Sequence, residues 1–376
     1  MASSIRRNRV AIVSTAQTAW REAWSEAQHI DLISSVVKKA LKGCGLTIAD
    51  VDFVIDSGSD VLDGRSISNC GFLGAMGAHH KEESRVEDDG LWAALYGVTK
   101  IASGSADVGL IIAYSKPSES DVSKFYTTLT DPFYQRPVGL DEVTASGIMA
   151  QQYLHKFGLS EEHLGEVAAV AWQKARSNSK VEFADVPSHA AVMGSPMVAS
   201  PLRQLMMARP VDGAVAIVLT SEEFARRIRP SPVWVTGMGA SMDGNVFAMR
   251  EPGLTSCAAA AKMAYTRAGI DPKNVALAEV SATSAVAELL SLEALGLAAP
   301  GRAIDLYRGG KGAVINQSGG ALPANPIMAT GLVRLAEAAE QLWAQGPAET
   351  HKASNAVVHA SSGIGGQSHC VFVVEV

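Results

Sequence analysis

Apolar runs of strand length alternate along this chain with segments whose apolar residues return every three or four positions. Residues 10–14 (Val-Ala-Ile-Val-Ser) have a buried-strand pattern, residues 30–41 an amphipathic helical one closed by Gly43 and Gly45, and residues 51–55 a second strand. That order predicts a parallel strand–helix–strand unit with a right-handed crossover. The pattern returns in the second half, where residues 233–236 are strand-like, 257–267 helical and 275–280 strand-like again. Both copies pass from helix to strand through a turn of equal length, Gly45-Leu46-Thr47-Ile48-Ala49-Asp50-Val51 and Gly269-Ile270-Asp271-Pro272-Lys273-Asn274-Val275. Each copy then reaches a further apolar strand, at 106–113 and 355–360. The expectation is an α/β protein of two similar halves, 1–229 and 230–376, joined near Arg229-Pro230-Ser231-Pro232.

Residues 116–201 do not fit this repeat. They hold polar turns, an aromatic cluster (Phe125, Tyr126, Phe133, Tyr134) and a helix over 160–177, which predicts an inserted lid, a subunit-contact loop or a structural elaboration. Residues 316–331, N-Q-S-G-G-A-L-P-A-N-P-I-M-A-T-G, mark the sharpest change of pattern. There an apolar run gives way, through paired glycines and two prolines, to helical periodicity beginning near Ile327. Such a junction is a ligand or catalytic loop, or an ordinary Gly/Pro turn.

Composition narrows the class. A net charge of −6 without a long basic cluster argues against nucleic-acid binding. No apolar run reaches the ~18 residues needed to span a bilayer. Residues 1–9 are polar and basic and lack the apolar core of a signal peptide, so a cytoplasmic protein is expected. Cys44, Cys70, Cys257 and Cys370 show no zinc-type spacing, and no metal is expected; His79, His80 and His189 have no ligand spacing either.

Several stretches, spread over nearly the whole chain, carry a family resemblance. They are Ser200-Pro201-Leu202-Arg203 with Val211-Asp212-Gly213-Ala214-Val215-Ala216, Ala287-Glu288-Leu289-Leu290 with Glu293-Ala294-Leu295-Gly296, the 316–331 segment, and Gly363-x-Gly365-Gly366. The 316–331 segment is similar to the S-G-G…G-H-P-x-G-A-T-G stretch of thiolases, which make or break carbon–carbon bonds on acyl-CoA thioesters. Taken together, the stretches resemble the sterol-carrier-protein type of thiolase, related to acetyl-CoA acetyltransferases. The resemblance implies a thiolase fold: two βαβ-type halves, each a mixed sheet flanked by helices. It also implies a coenzyme A thioester as ligand and no covalently bound cofactor.

Thiolase chemistry needs three groups, and this chain replaces each. The family's nucleophilic cysteine sits in V-[NE]-x-x-C-x-[ST]-G at a helix start; the matching stretch, Val86-Glu87-Asp88-Asp89-Gly90-Leu91-Trp92, has no sulfur. The oxyanion imidazole of the family's H-D-A-F element is replaced by Ser281-Ala282-Thr283-Ser284. Asn325 stands for the G-H-P histidine and does not titrate. Glu87, Asp88 and Asp89 are either an acid–base cluster or an acidic helix N-terminus. His359 and His369 flank the terminal Gly-rich loop, His359 as a candidate base. Lyase relatives use tyrosines at the H-D-A-F position and in the terminal loop; here Ser281 and Gln367 stand there.

Candidate catalytic positions are therefore Ser281, Asn325, Glu87, Asp88, Asp89 and His359, and candidate coenzyme A contacts are Ser318, Gly319, Gly320, Gly365 and Gly366. The resemblance implies an acyl-CoA binder without ordinary thiolytic activity, forming a homodimer or larger homo-oligomer and working beside a zinc-ribbon/OB-fold partner. A retro-aldol lyase or an acyltransferase with altered groups, and a carrier of lipid-type CoA esters, are the alternatives.

Overall fold

In the computed structural model, which describes residues 8–183, 185–344 and 354–376, the apolar runs become one ten-stranded mixed sheet. Of the basic opening segment, residues 1–7 lie outside the described residues. The first half supplies β1 (Val10–Gln17), β2 (Phe53–Ser57), β3 (Glu82–Val86) and β4 (Val108–Ser115). A separate hairpin of β5 (Met197–Ala199) and β6 (Leu202–Arg203) precedes β7 (Gly213–Ser221). The second half supplies β8 (Val233–Met242), β9 (Leu277–Val280), β10 (Val314–Ile315), β11 (Asn355–Ser362) and β12 (Ser368–Glu375).

The sheet order is β10-β9-β11-β12-β8-β1-β7-β4-β2-β3, and it is the same motif twice. β3, β2 and β4 run parallel, then β7 and β1 alternate in direction. β10, β9 and β11 run parallel, then β12 and β8 alternate. The halves meet where β1 pairs with β8, over residues 10–12 and 233–235. The two equal-length turns of the sequence are both short 3-10 segments, Ile48–Asp50 and Pro272–Asn274.

Among the described residues, seven longer helices flank the sheet: α1 (His29–Gly43), α2 (Gly90–Ala102), α3 (Glu142–Phe157), α4 (Glu161–Ala175), α5 (Thr255–Ala268), α6 (Ala285–Ala294) and α7 (Thr330–Ala344). Helix α7 is apolar over most of its circumference and is buried accordingly, packing on α2 and on strands of both halves. Its Leu332, Val333 and Leu335 are almost wholly buried, worth about 1.5–3 kcal/mol each. The starts of α2 and α7 touch because glycines stand there. A Cβ on Gly90 would lie 2.6 Å from Leu332 Cβ, and one on Gly331 2.1 Å from Asp89 Oδ1.

The inserted region is chiefly a structural layer over the second half. Met149, Leu154, Leu164 and Val167 of α3 and α4 share a core cluster with Leu289 and Leu292 of α6. Asp141 caps α3 by accepting a hydrogen bond from Thr144 N at 2.8 Å, and Gly158 ends it in the left-handed conformation. That start places Glu142, the first residue of α3, under the terminal Gly-rich loop.

Candidate functional site

A cavity of about 560 Å³ opens between α3, the connection from β8 to α5, and the Gly-rich loop between β11 and β12. Met149, Tyr153, Phe247 and Leu254 give it apolar walls, Gly365 and Gly366 line it, and the exposed Lys156 is also on its lining. Size and lining suit a mostly apolar ligand with a few fixed polar contacts. Arg250 secures the loop, donating from Nη1 to the Ile364 carbonyl at 2.5 Å.

Behind Gly365 lies a buried carboxylate. Glu142 is 3% exposed; its Oε1 accepts from Thr283 Oγ1 at 2.5 Å and from Ser146 Oγ at 3.2 Å, and its Oε2 accepts from Gly365 N at 2.8 Å. Burial raises its pKa above the ordinary carboxylate value, against the lowering effect of these three donors. A carboxylate has room for about four hydrogen bonds, so one acceptor position is left.

Asn325 is held on its backbone by Arg209 O, which accepts from Asn325 N at 2.8 Å, and by Val211 N, which donates to Asn325 O at 3.1 Å. Thr330 Oγ1 donates to its Oδ1 at 2.6 Å, which leaves the amide nitrogen as the remaining donor, and Tyr126 is a neighbour of this amide. Burial and the neighbouring charge of Glu142 both raise the Tyr126 pKa. Tyr126, Asn325, Glu142 and Thr283 thus converge from four separated segments.

The other predicted positions divide. Ser281 is buried, and its N–H donates to the His359 carbonyl at 3.0 Å. Glu87 is exposed, pairs with Arg85 at 3.0 Å and caps Asp60 N. Asp88 is half-buried; its Oδ1 accepts from Asp89 N at 2.7 Å, Ser362 beside the Gly-rich loop is a neighbour, and burial raises its pKa. Asp89 is an interior clasp between the halves: its Oδ1 accepts from Leu91 N and its Oδ2 from Gly331 N, both at 2.8 Å. The three acidic neighbours therefore do not act as one cluster. Gly365 and Gly366 line the cavity, whereas Ser318, Gly319 and Gly320 do not. Ser318 donates to the buried Glu279 at 2.6 Å, and a Cβ on Gly319 would meet the α4 backbone at Ala175.

Burial pushes the Asp89 pKa up to about 8, outweighing its two N–H donors. A carboxyl whose folded pKa lies above its ordinary 3.8 adds stability that is full below about pH 4 and is lost as pH rises through about 8. Asp89→Asn is expected to flatten the decline of the urea midpoint between about pH 5 and 8, a decline of at most ~1.4 kcal/mol per pH unit for one proton. An unchanged slope in the variant would assign the decline to other groups.

Comparison with known proteins bears on this geometry. A thiolase C-terminal domain-like family model matches residues 239–375, from β8 through β12. An acetyl-CoA acetyltransferase of Methanothermobacter thermautotrophicus is 26% identical over 95% of this chain and 97% of its own length. The chain is similar to the thiolase superfamily, and the matched C-terminal domain takes up most of its second half. The 17-hydroxy-3-oxo-4-pregnene-20-carboxyl-CoA lyase of Mycobacterium tuberculosis is 27% identical over 80% of this chain and 81% of that protein. Among solved structures, the Ltp2-ChsH2(DUF35) aldolase shares the thiolase fold at a TM-score of 0.82 and 22% identity, covering 99% of both chains.

Unlike the thiolase pattern it resembles, this chain brings no thiol to the start of α2. Cys70 is exposed in the short turn Ser68–Gly71, and Cys370 is buried in β12. Glu142 and Tyr126 are the residues that sequence reasoning passed over, whereas Thr283 stood in the Ser281–Ser284 stretch as a hydrogen-bond donor. Tyr126 had one signal, its place in the aromatic cluster of the insertion; Glu142 had none beyond the acidic first turn of a helix.

Proposed function

We propose that this thiolase-like chain binds an acyl-CoA thioester in the cavity and cleaves a 3-hydroxyacyl group by proton transfer, a retro-aldol reaction, rather than by thiolysis. The observation that carries this reading is the Glu142–Thr283–Gly365 network beside Tyr126 and Asn325, at an α2 start without a thiol. In this reading the Glu142 carboxylate takes the 3-hydroxyl proton and the C2–C3 bond breaks. The bonding pair passes to the thioester carbonyl as an enolate, and a proton returns at C2. A ketone or aldehyde leaves, and the shortened acyl-CoA remains. The Asn325 amide and the Tyr126 hydroxyl supply the donors that enolate oxygen needs. The lyase among the similar proteins supports this chemistry, and the missing thiol at α2 argues against the acyl transfer named for the acetyltransferase relatives.

A partner subunit is part of the proposal. Phe133, Tyr134 and Val138 of the insertion stand 79–80% exposed, more apolar surface than a loop tip needs, and the similar aldolase is a two-component assembly. A zinc-ribbon/OB-fold protein is the partner proposed. Among the described residues the outer edge of β3 carries no further strand, which supports a second copy of this chain pairing there. No helix among the described residues is long and apolar enough to cross a membrane.

Calorimetry with coenzyme A and with 3-hydroxyacyl-CoA thioesters tests the pocket. Ala258 is exposed and lines the cavity, so Ala258→Trp is expected to fill it and weaken binding at least about tenfold, ~1.4 kcal/mol, with little change in folding stability. Release of a carbonyl product from a C3-branched 3-hydroxyacyl-CoA, without thiolysis of a 3-ketoacyl-CoA, is the expected activity. Thiolysis, or no binding by wild type, overturns the reading. Binding without cleavage, with the partner present, leaves a non-catalytic subunit or CoA-ester carrier.

A further inference from the structure

We propose that Cys257 of α5, His359 of β11 and His369 of β12 form a buried binding site for a soft divalent cation of the zinc class. Their ligand atoms all lie within 4.8 Å of one another, and all three residues are fully buried. They come from three elements in the second half, so no short spacing in the sequence announces them. A thiol and two imidazoles are the ligand set that such an ion prefers.

The hydrogen bonds decide which nitrogens face inward. His369 Nε2 lies 2.8 Å from the Gly366 carbonyl oxygen, which can only accept, so Nε2 carries the proton and Nδ1 presents its lone pair. That lone pair faces His359 Nε2 at 2.9 Å. Behind His359, Nδ1 is buried with no hydrogen-bond partner, and the Ser281 backbone is the neighbour that favours a proton on this ring. With that proton on Nδ1, both rings turn a bare nitrogen toward the same point beside Cys257. Either the proton sits on His359 Nε2 and the pair is an ordinary hydrogen bond, or it sits on Nδ1 and two bare nitrogens face a cation; Nδ1 is without a hydrogen-bond partner in both cases. The Gly366 carbonyl behind His369 is the usual kind of support for a metal-ligating histidine.

The dimensions agree. Two nitrogens bound at about 2.0–2.1 Å in a tetrahedral site stand roughly 3.3 Å apart, so the observed pair has to open by only a few tenths of an ångström. Burial and the neighbouring imidazole hold His359 well below its ordinary pKa, and burial holds His369 down to about 4, so both rings are neutral ligands. Burial alone keeps the Cys257 thiol protonated. Binding the ion replaces the S–H bond by a metal–sulfur bond and releases that proton to solvent, so uptake strengthens with rising pH. Leu254 and Ala258, on either side of Cys257 along the chain, line the cavity together with Gly366. The site therefore sits behind the cavity wall, whether or not the cavity takes an acyl-CoA.

The test uses the purified full chain without a partner. Elemental analysis after gel filtration is expected to find about one zinc per chain, and Co²⁺ added to chelator-stripped protein should give a thiolate-to-cobalt charge-transfer band that saturates near one equivalent. Cys257→Ser is expected to abolish that band, and His369→Asn to weaken Co²⁺ binding at least about tenfold. Circular dichroism of each variant establishes that it folds. A folded wild type that retains no zinc and shows no band overturns the proposal, leaving the histidines a neutral hydrogen-bonded pair. Undiminished binding in folded Cys257→Ser overturns it as well.

Discussion

Arg334→Met is expected to cost about 3–5 kcal/mol of folding stability, because it leaves a buried carboxylate without its counter-charge. Arg334 of α7 and Glu279 of β9 are 3% and 1% exposed at their side chains, with Nη1 at 2.9 Å from Oε2. Ser318 joins them: Arg334 Nη1 donates to its Oγ at 2.6 Å, and that Oγ donates to Glu279 Oε2 at 2.6 Å. Gln341 adds a fourth member, donating to Glu279 Oε1 at 2.7 Å. This network ties the loop over 316–331 to the strand before it and the helix after it. Ser318 and Gln341 remain in the variant and soften the loss, so the lower end of the range is the safer expectation. Replacing both charges, Arg334→Met with Glu279→Leu, should recover part of the loss, since an apolar pair carries no desolvation cost. Urea midpoints of the two single variants and the double form the cycle that measures it. A single-variant loss below about 1 kcal/mol would mean that the pair contributes no more than a surface ion pair.

Glu142→Gln is expected to lower kcat for retro-aldol cleavage by about 10²–10⁴, the range of a lost general base. Gln keeps the shape and one acceptor oxygen but cannot take a proton. The wild-type rate should rise with pH through the raised pKa of Glu142, since the carboxylate form is the base, and that limb should vanish in the variant. A purely structural role predicts a smaller drop with the pH limb intact. Glu142→Asp is expected to restore the limb at a reduced rate, because the carboxylate returns on a shorter stem. Binding of coenzyme A should be nearly unchanged in folded Glu142→Gln. Loss of binding together with activity would place Glu142 in the wall of the pocket rather than in its chemistry.

The periodic parts of the fold were legible because they obey local rules. The seven-residue turns after Gly45 and Gly269 announced the duplicated unit, and both are short 3-10 segments leading into β2 and β9. The frame of the 316–331 loop was legible for the same reason: its paired glycines adopt left-handed angles of +103° and +72°, open to few other residues. The site was much less so. Thr283 and Glu142 are 141 positions apart, and their 2.5 Å contact leaves no periodic trace. The acidic run 87–89 was legible as an acidic helix start but not as three separate environments, since one carboxylate points to solvent, one to the Gly-rich loop and one into the junction of two helices. Cys257, His359 and His369 each look like core residues when taken singly.

That junction constrains how the molecule assembles. β1 and β8 share only a short stretch of pairing, while α2 and α7 touch at glycines and exchange a hydrogen bond through Asp89. The carboxylate finds its second donor, Gly331 N, only once the other half has folded against it. Neither half alone would satisfy that buried carboxyl, and Asn325 and Tyr126 likewise come close from opposite halves. Separately expressed halves should therefore be poor at holding their own shape, and ligand binding should appear in a single step with the recovery of the whole chain.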